Sequence, residues 1–191
     1  MRLQALVEGD LEVAFLPVLF EQLDLGDVDL RVTNTKGAFW PEARRYNRLA
    51  RGQPVVALAD LERNPCAAQL LATELPGKSS GFHLRIAVRM LESWLLADRA
   101  AIAEFLGVPE SRIPQRPDEL ENPKRQIGAL AARSRLKTIR LRVAPGDSGG
   151  IVGREYAPAM KEFVNRRWRL AEARVVSSSL DRAACCWKAL R

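Results

Sequence analysis

This chain of 191 residues predicts an α/β fold: a mostly parallel sheet in three layers with flanking helices, followed by a helical C-terminal part. Three observations carry that expectation. Val55 to Glu62 reads VVALADLE, an apolar run that ends in acid, and strands covered on both faces of a parallel sheet are near-continuously apolar rather than alternating. Leu3 to Val7 and Phe82 to Val88 are two more short strand-like runs, and apolar residues at helical spacing lie between them, the alternation expected of βαβ units. Beyond residue 98 the pattern is mainly helical. We therefore expect one domain, with 1–98 as the core sheet and 99–191 as a helical extension.

In chain order, Leu3 to Val7 is the first strand and Glu8-Gly9 ends it, with Gly9 permitting a tight turn. Asp10 caps a helix in which Leu11, Phe15, Val18, Leu19 and Leu23 recur at helical spacing. Pro17 inside it predicts a kink or a shift of register. Val28 to Thr33 is a second strand, followed by a loop over Asn34 to Pro41 that holds Lys36, Gly37 and Trp40. The helix from Pro41 carries Arg44, Arg45, Arg48 and Arg51, with Arg44 and Arg48 on one face. After VVALADLE, Asn64-Pro65 has the order of an N-cap and a first helical residue, and the helix runs to Leu75 with Gly77 ending it. In FHLRIAV, His83 and Arg85 face away from Leu84 and Ile86, and the sole histidine reads as a surface or edge residue.

RMLESWLLADRAAIAEFLG predicts two short helices with a junction near Asp98 and a stop at Gly107. Leu91, Trp94 and Leu95 form a packing stripe that leaves Glu92 off it. Val108 to Glu121 is a long Pro-rich loop, and Asn122-Pro123 opens a helix through Leu130. Ala144 to Gly153 is a loop, Tyr156 to Leu170 a helix, and Ser179 caps a last helix whose apolar face includes Leu180, Ala183, Ala184, Trp187 and Leu190.

With 47% hydrophobic and 28% charged residues the composition is that of a globular protein with a sizeable core. No run approaches the ~18 apolar residues of a membrane span, and MRLQALVEG lacks a signal pattern, so a cytoplasmic location is expected. Three cysteines without CxxC spacing and one histidine argue against a zinc site, and reduced, buried thiols are the expectation. The net charge of +7 points to a polyanionic partner, nucleic acid first. Gly146 to Gly150 spells GDSGG, the nucleophile loop of chymotrypsin-like proteases, but His83 is the only available base and the surrounding pattern is helical rather than β-barrel.

Two groups of residues are candidates for chemistry. Glu8 and Asp60 end strands, and Glu62 shares a side with Asp60 if the chain stays extended. If the strands are neighbours the three carboxylates converge, a set suited to Mg²⁺ or Mn²⁺. The alternative is that Asp60 and Glu62 stabilise the next helix start. Glu92 is either a first-turn acid or a further carboxylate of the site. The second group is basic. Between Asn122 and Gly146 there is no acid, while Lys124, Arg125, Arg133, Arg135, Lys137, Arg140 and Arg142 all occur. These read as phosphate contacts for nucleic acid, and Arg44, Arg45 and Arg48 read either as a further phosphate-contacting ridge or as a solvated surface.

VEGDLEVAFL, VVALADLE, LRIAVRMLESWLLAD, ENPK and the SSSLDRA helix, in that order, resemble the domain-of-unknown-function family 4276. That family is regarded as similar to the TOPRIM domain of topoisomerases, primases and overcoming-lysogenisation-defect nucleases. The resemblance implies a Rossmann-like TOPRIM fold, with Glu8 as the catalytic glutamate acting as general acid or base. Asp60 would be the first metal-holding acid, and Glu62 stands where the second aspartate would be, longer by a methylene. It also marks Glu92 and Trp94 as characteristic. The function it implies is an Mg²⁺-dependent phosphodiester-acting enzyme, nuclease-like, on nucleic acid. The alternative is a non-catalytic nucleic-acid-binding module working with a partner ATPase, because related TOPRIM nucleases are fused to one. A third reading is action on a small phosphorylated substrate.

Overall fold

The computed structural model describes residues 3–33, 37–146 and 149–190. Asn34 and Lys36 of the expected loop, and Asp147 and Ser148 of GDSGG, lie outside the described residues. The chain divides into two compact units, Met1–Val88 with Asp181–Arg191, and Arg89–Leu180. The division falls after Val88 rather than after residue 98, and the end of the chain returns to the first unit.

In the first unit the order is β1 (Leu3–Val7), α1 (Asp10–Gln22), β2 (Val28–Val32), α2 (Phe39–Leu49), β3 (Val55–Asp60), α3 (Ala67–Glu74) and β4 (Phe82–Ala87). The sheet is α/β in character as expected, with all four strands parallel in the order β2-β1-β3-β4. The two central strands are the most apolar: Val55 to Ala59 of β3 are buried without a break. Edge strand β2 is only half-buried. On one face Leu6, Ala57, Ala59, Leu84 and Ile86 pack with Phe39, Ala43 and Tyr46 of α2 and Leu70 of α3. Alternate residues of the strands point the other way. Buried Phe15, Leu16, Leu19 and Phe20 of α1 supply apolar cover, each buried side chain contributing about 1.5–3 kcal/mol. Trp187 joins them, its ring edge-on to Phe20 at 5.6 Å and its indole N–H on the His83 carbonyl at 2.9 Å.

Local chemistry moved several boundaries. Gly9, not Asp10, is the N-cap of α1, in extended backbone that any residue adopts, and Asp10 and Glu12 place negative charge in the first turn. The helix continues through Pro17. Helix α3 starts at Ala67, capped by the Cys66 sulfur, which accepts from the Gln69 N–H at 3.4 Å. Asn64 instead donates to the Leu61 carbonyl at 2.9 Å, so Asn64-Pro65 belongs to the turn before the helix. Cys66 and Cys185 are exposed and Cys186 half-buried, all three as free thiols, which corrects the expectation that the thiols are buried.

The second unit holds α4 (Leu91–Ala97), α5 (Arg99–Leu106), 3-10 turns at Glu110–Arg112 and Pro117–Glu119, α6 (Pro123–Ala132), α7 (Lys137–Val143), α8 (Tyr156–Arg166) and α9 (Leu170–Val176). The last helix, α10 (Ser178–Lys188), begins here and supplies residues from Asp181 onward to the first unit. Every residue of α4 is buried, so it has no polar side for Glu92 to occupy. Asp98 joins α4 to α5 as expected, capping α5 through the Ala101 N–H at 3.3 Å. Asn122 and Pro123 open α6 as expected, with the Asn122 amide oxygen 2.9 Å from the Arg125 N–H. The helix expected over Tyr156 to Leu170 breaks after Arg166, because the Arg169 N–H goes to Asp98 Oδ2 at 2.9 Å instead of to a helical carbonyl. Ser177, not Ser179, caps the last helix, its Oγ accepting the Leu180 N–H at 3.2 Å. Among the described residues no helix is long and apolar enough to cross a membrane.

Candidate functional site

The strand order places a topological switch at the middle of the sheet. From β1 the chain crosses over to β2 on one side, and from β3 to β4 on the other. Open parallel sheets bind ligands beyond the carboxyl ends of the strands at such a point. Glu8 directly follows β1 and Asp60 ends β3, and these two strands are hydrogen-bonded neighbours with Leu6 opposite Ala57. Both carboxylates are half-buried. The sheet therefore brings the two together at its switch point.

Glu62 does not extend that pair in the expected manner. The Asn64 N–H bonds the Leu61 carbonyl at 3.1 Å, and Glu62 adopts φ +50°, left-handed backbone inside a turn. The alternation that would put Asp60 and Glu62 on one side needs extended chain, and the chain turns instead. Glu62 is exposed. Among the described residues no group of three or more His, Cys, Asp or Glu side chains could hold a metal ion. The first unit's acids thus do not make an all-protein cage. Two carboxylates at neighbouring strand ends suit Mg²⁺ only as a partial set completed by waters and substrate phosphate, which is the usual way that ion is held.

Glu92 lies in the second unit with 4% of its surface exposed, and its Oε1 accepts the Tyr156 hydroxyl at 3.1 Å. The Lys124 ammonium sits 5.1 Å from the centre of the Tyr156 ring, a cation–π distance. Trp94 is fully buried, donating to Ser179 Oγ at 2.7 Å and accepting the Trp168 indole N–H on its carbonyl at 3.0 Å. ESWLLAD, ENPK and SSSLDRA are therefore joined by buried hydrogen bonds and a cation–π contact that organise the second unit. Two more carboxylates, buried Asp98 and half-buried Asp118, tie together segments far apart in sequence. Asp98 accepts from the Arg169 Nε at 3.0 Å and Nη2 at 2.8 Å, and Asp118 takes Ser177 Oγ at 2.7 Å and the Ser179 N–H at 3.0 Å. Asp98 beside Arg169 raises that guanidinium's pKa further.

The basic candidates separate by what surrounds them. On α2, Arg44 pairs with Glu74 at 3.1 Å, and Arg45 pairs with Glu42 at 3.0 Å while lying 5.8 Å from the Tyr46 ring centre. Arg48 is exposed. A cavity of about 650 Å³ is lined by Arg31 and Arg45 but also by Glu42, so its charge is partly balanced. In the second unit Arg142 is bound to Glu155 at 3.0 Å and Glu162 at 3.1 Å, the latter bond foremost in raising its pKa. Arg140 donates to the Ser134 carbonyl. Arg125, Arg133, Arg135 and Lys137 are exposed and enter no ion pair among the described residues.

His83 lies on edge strand β4, half-buried, its pKa lowered by burial and then by the charges of Lys78 and Arg85. It is neutral near pH 7. Arg112, which the sequence did not single out, lines a cavity of about 370 Å³ together with Arg133 and Arg135.

Set against protein-family models, curated proteins and solved structures, the chain matches none.

Proposed function

We propose that this protein binds nucleic acid through the cations of the α6–α7 segment. The observation that carries the reading is that Arg125, Arg133, Arg135 and Lys137 stand exposed and, among the described residues, without ion pairs, in a stretch from Asn122 to Gly146 that contains no acid. Cations already neutralised by the protein release few counterions on meeting phosphate. Unpaired ones release about one each, and that release dominates affinity for a polyanion. If these four each meet one phosphate of duplex DNA, affinity falls by roughly 100-fold between 50 and 200 mM salt. Fluorescence anisotropy with labelled single- and double-stranded oligonucleotides across that range tests it, and binding that is absent or insensitive to salt removes the reading.

A second reading, favoured by the position of Glu8 and Asp60 at the switch point of the sheet, adds action on phosphodiester bonds. In it Glu8 holds or gives up a proton at the reacting oxygen, and Asp60 faces the same substrate from the neighbouring strand end. A bound Mg²⁺ would supply neutralisation of phosphate charge there. The likeness to TOPRIM nucleases belongs to this reading, whereas the partner ATPase belongs to the binding-module reading. Glu8→Gln and Asp60→Asn should then abolish Mg²⁺-dependent cleavage of a labelled oligonucleotide while leaving its affinity within about twofold, since neither residue lies among the four cations. A wild-type protein that binds without cleaving in Mg²⁺ or Mn²⁺ returns the assignment to a binding module.

A further inference from the structure

In the second unit, arginines without ion pairs among the described residues line a concave space. Gly107, Val108, Pro109, Arg112, Arg133 and Arg135 line a cavity of about 370 Å³, at the small end of the range for ligand pockets. No acid lines it. Arg112, Arg133 and Arg135 are exposed and have no ion pair among the described residues. Val108 and Pro109 contribute apolar lining.

The wall that carries Arg133 and Arg135 is held in place before any ligand arrives. The Arg135 N–H bonds the Gly107 carbonyl at 3.0 Å, linking the turn after α6 to the end of α5. Between the two arginines Ser134 is buried, and its Oγ takes the Leu136 N–H at 2.9 Å. Gly107 has φ +65°, and a Cβ there would come within 2.6 Å of Leu136 Cγ. Both turns are thus packed against each other too closely to drift apart, which is how a rigid scaffold lowers the ordering cost of binding. The backbone donors of Gly107 and Val108 are already used, bonding the Glu104 and Ala103 carbonyls, while Pro109 has none. An anion here must be met by the guanidinium groups.

We infer that this cavity binds a phosphomonoester, the phosphorylated end of a nucleic-acid strand with its adjoining sugar. Three arginines lining one small cavity match a group carrying about −1.5 to −2 charge near pH 7 better than a singly charged internal phosphodiester. The inference rests on the nucleic-acid reading above and names the part of the strand that the second unit holds.

The test compares three versions of one oligonucleotide, with 5′-phosphate, with 3′-phosphate and with neither, by anisotropy against wild type and Arg112→Gln, an exposed residue outside the four cations of the α6–α7 segment. A nucleoside 5′-monophosphate and a nucleoside 3′-monophosphate are titrated in parallel. Wild type is expected to prefer one phosphorylated end by about tenfold, the ratio of one added charge-assisted hydrogen bond, and Arg112→Gln to lose that preference while still binding the unphosphorylated strand. Equal binding of all three strands overturns the inference and leaves the nucleic-acid reading standing. A preference that survives in Arg112→Gln also overturns it, because the end is then held elsewhere. If no strand binds, the nucleic-acid reading fails, and the monophosphates decide: binding to wild type lost in Arg112→Gln supports a phosphomonoester cavity, and no binding overturns it.

Discussion

Helix α2 and the α6–α7 segment each carry a run of basic residues, and the fold treats them differently. On α2 the Arg44 guanidinium is 3.1 Å from Glu74 and that of Arg45 is 3.0 Å from Glu42. Along α6 and α7 the described acids reach Arg142, which Glu155 and Glu162 hold at 3.0 and 3.1 Å. Arg125, Arg133, Arg135 and Lys137 are left outside. An exposed pair is worth little to stability, about 0–1 kcal/mol, but its carboxylate offsets the field that a phosphate within a Debye length of about 8–10 Å would feel. Counting arginines overstates α2 as a polyanion surface. Counting unpaired cations among the described residues favours the α6–α7 segment, where Arg125, Arg133, Arg135 and Lys137 stand against Arg48 alone on α2.

Removing charge from each region separates the two accounts. Arg133→Ala with Arg135→Ala should lower the salt slope of binding by about 2 and weaken binding by more than about tenfold at 100 mM salt, because two counterion-releasing contacts go. Arg44→Ala with Arg45→Ala should weaken it by less than about threefold, because both guanidinium groups already have carboxylate partners. Anisotropy titrations at four salt concentrations give slope and affinity together. Equal losses from the two double variants would mean that pairing within the protein does not decide which cations meet phosphate.

Sequence spacing made the frame of the molecule legible and missed most of what pairs with what. VVALADLE and LQALV announce buried parallel strands because both faces of a central strand must be apolar. Asn122-Pro123 and Asp98 are readable as caps because capping is a local bond. The turn at Glu62 was not readable, since Asp60 and Glu62 share a side only while the chain stays extended, and the Asn64–Leu61 bonds end that extension. Glu92 was placed off a packing stripe because amphipathic spacing assumes an exposed side, and α4 is buried all round. The pair Arg45–Glu42 lies three residues apart and is visible on a helical wheel, whereas Arg44–Glu74 spans 30 residues and exists only after β3 and α3 are in place. The meeting of Arg112 with Arg133 and Arg135 is of the same long-range kind.

The smallest expected effect is a gain, and it is the sharpest check on the role of pairing. Glu74→Gln removes the carboxylate beside Arg44 but keeps a side chain of the same size, and the Arg44 bond to the Glu74 backbone carbonyl at 2.9 Å does not depend on the substitution. The guanidinium should therefore stay in place and change only in net field. If neutralisation by Glu74 is what keeps Arg44 from acting on a polyanion, binding of an oligonucleotide should strengthen by about twofold at 50 mM salt and the gain should shrink at 200 mM as screening sets in. An unchanged affinity at both salts would mean that α2 faces away from the bound strand, and the second unit's cations would then account for binding by themselves.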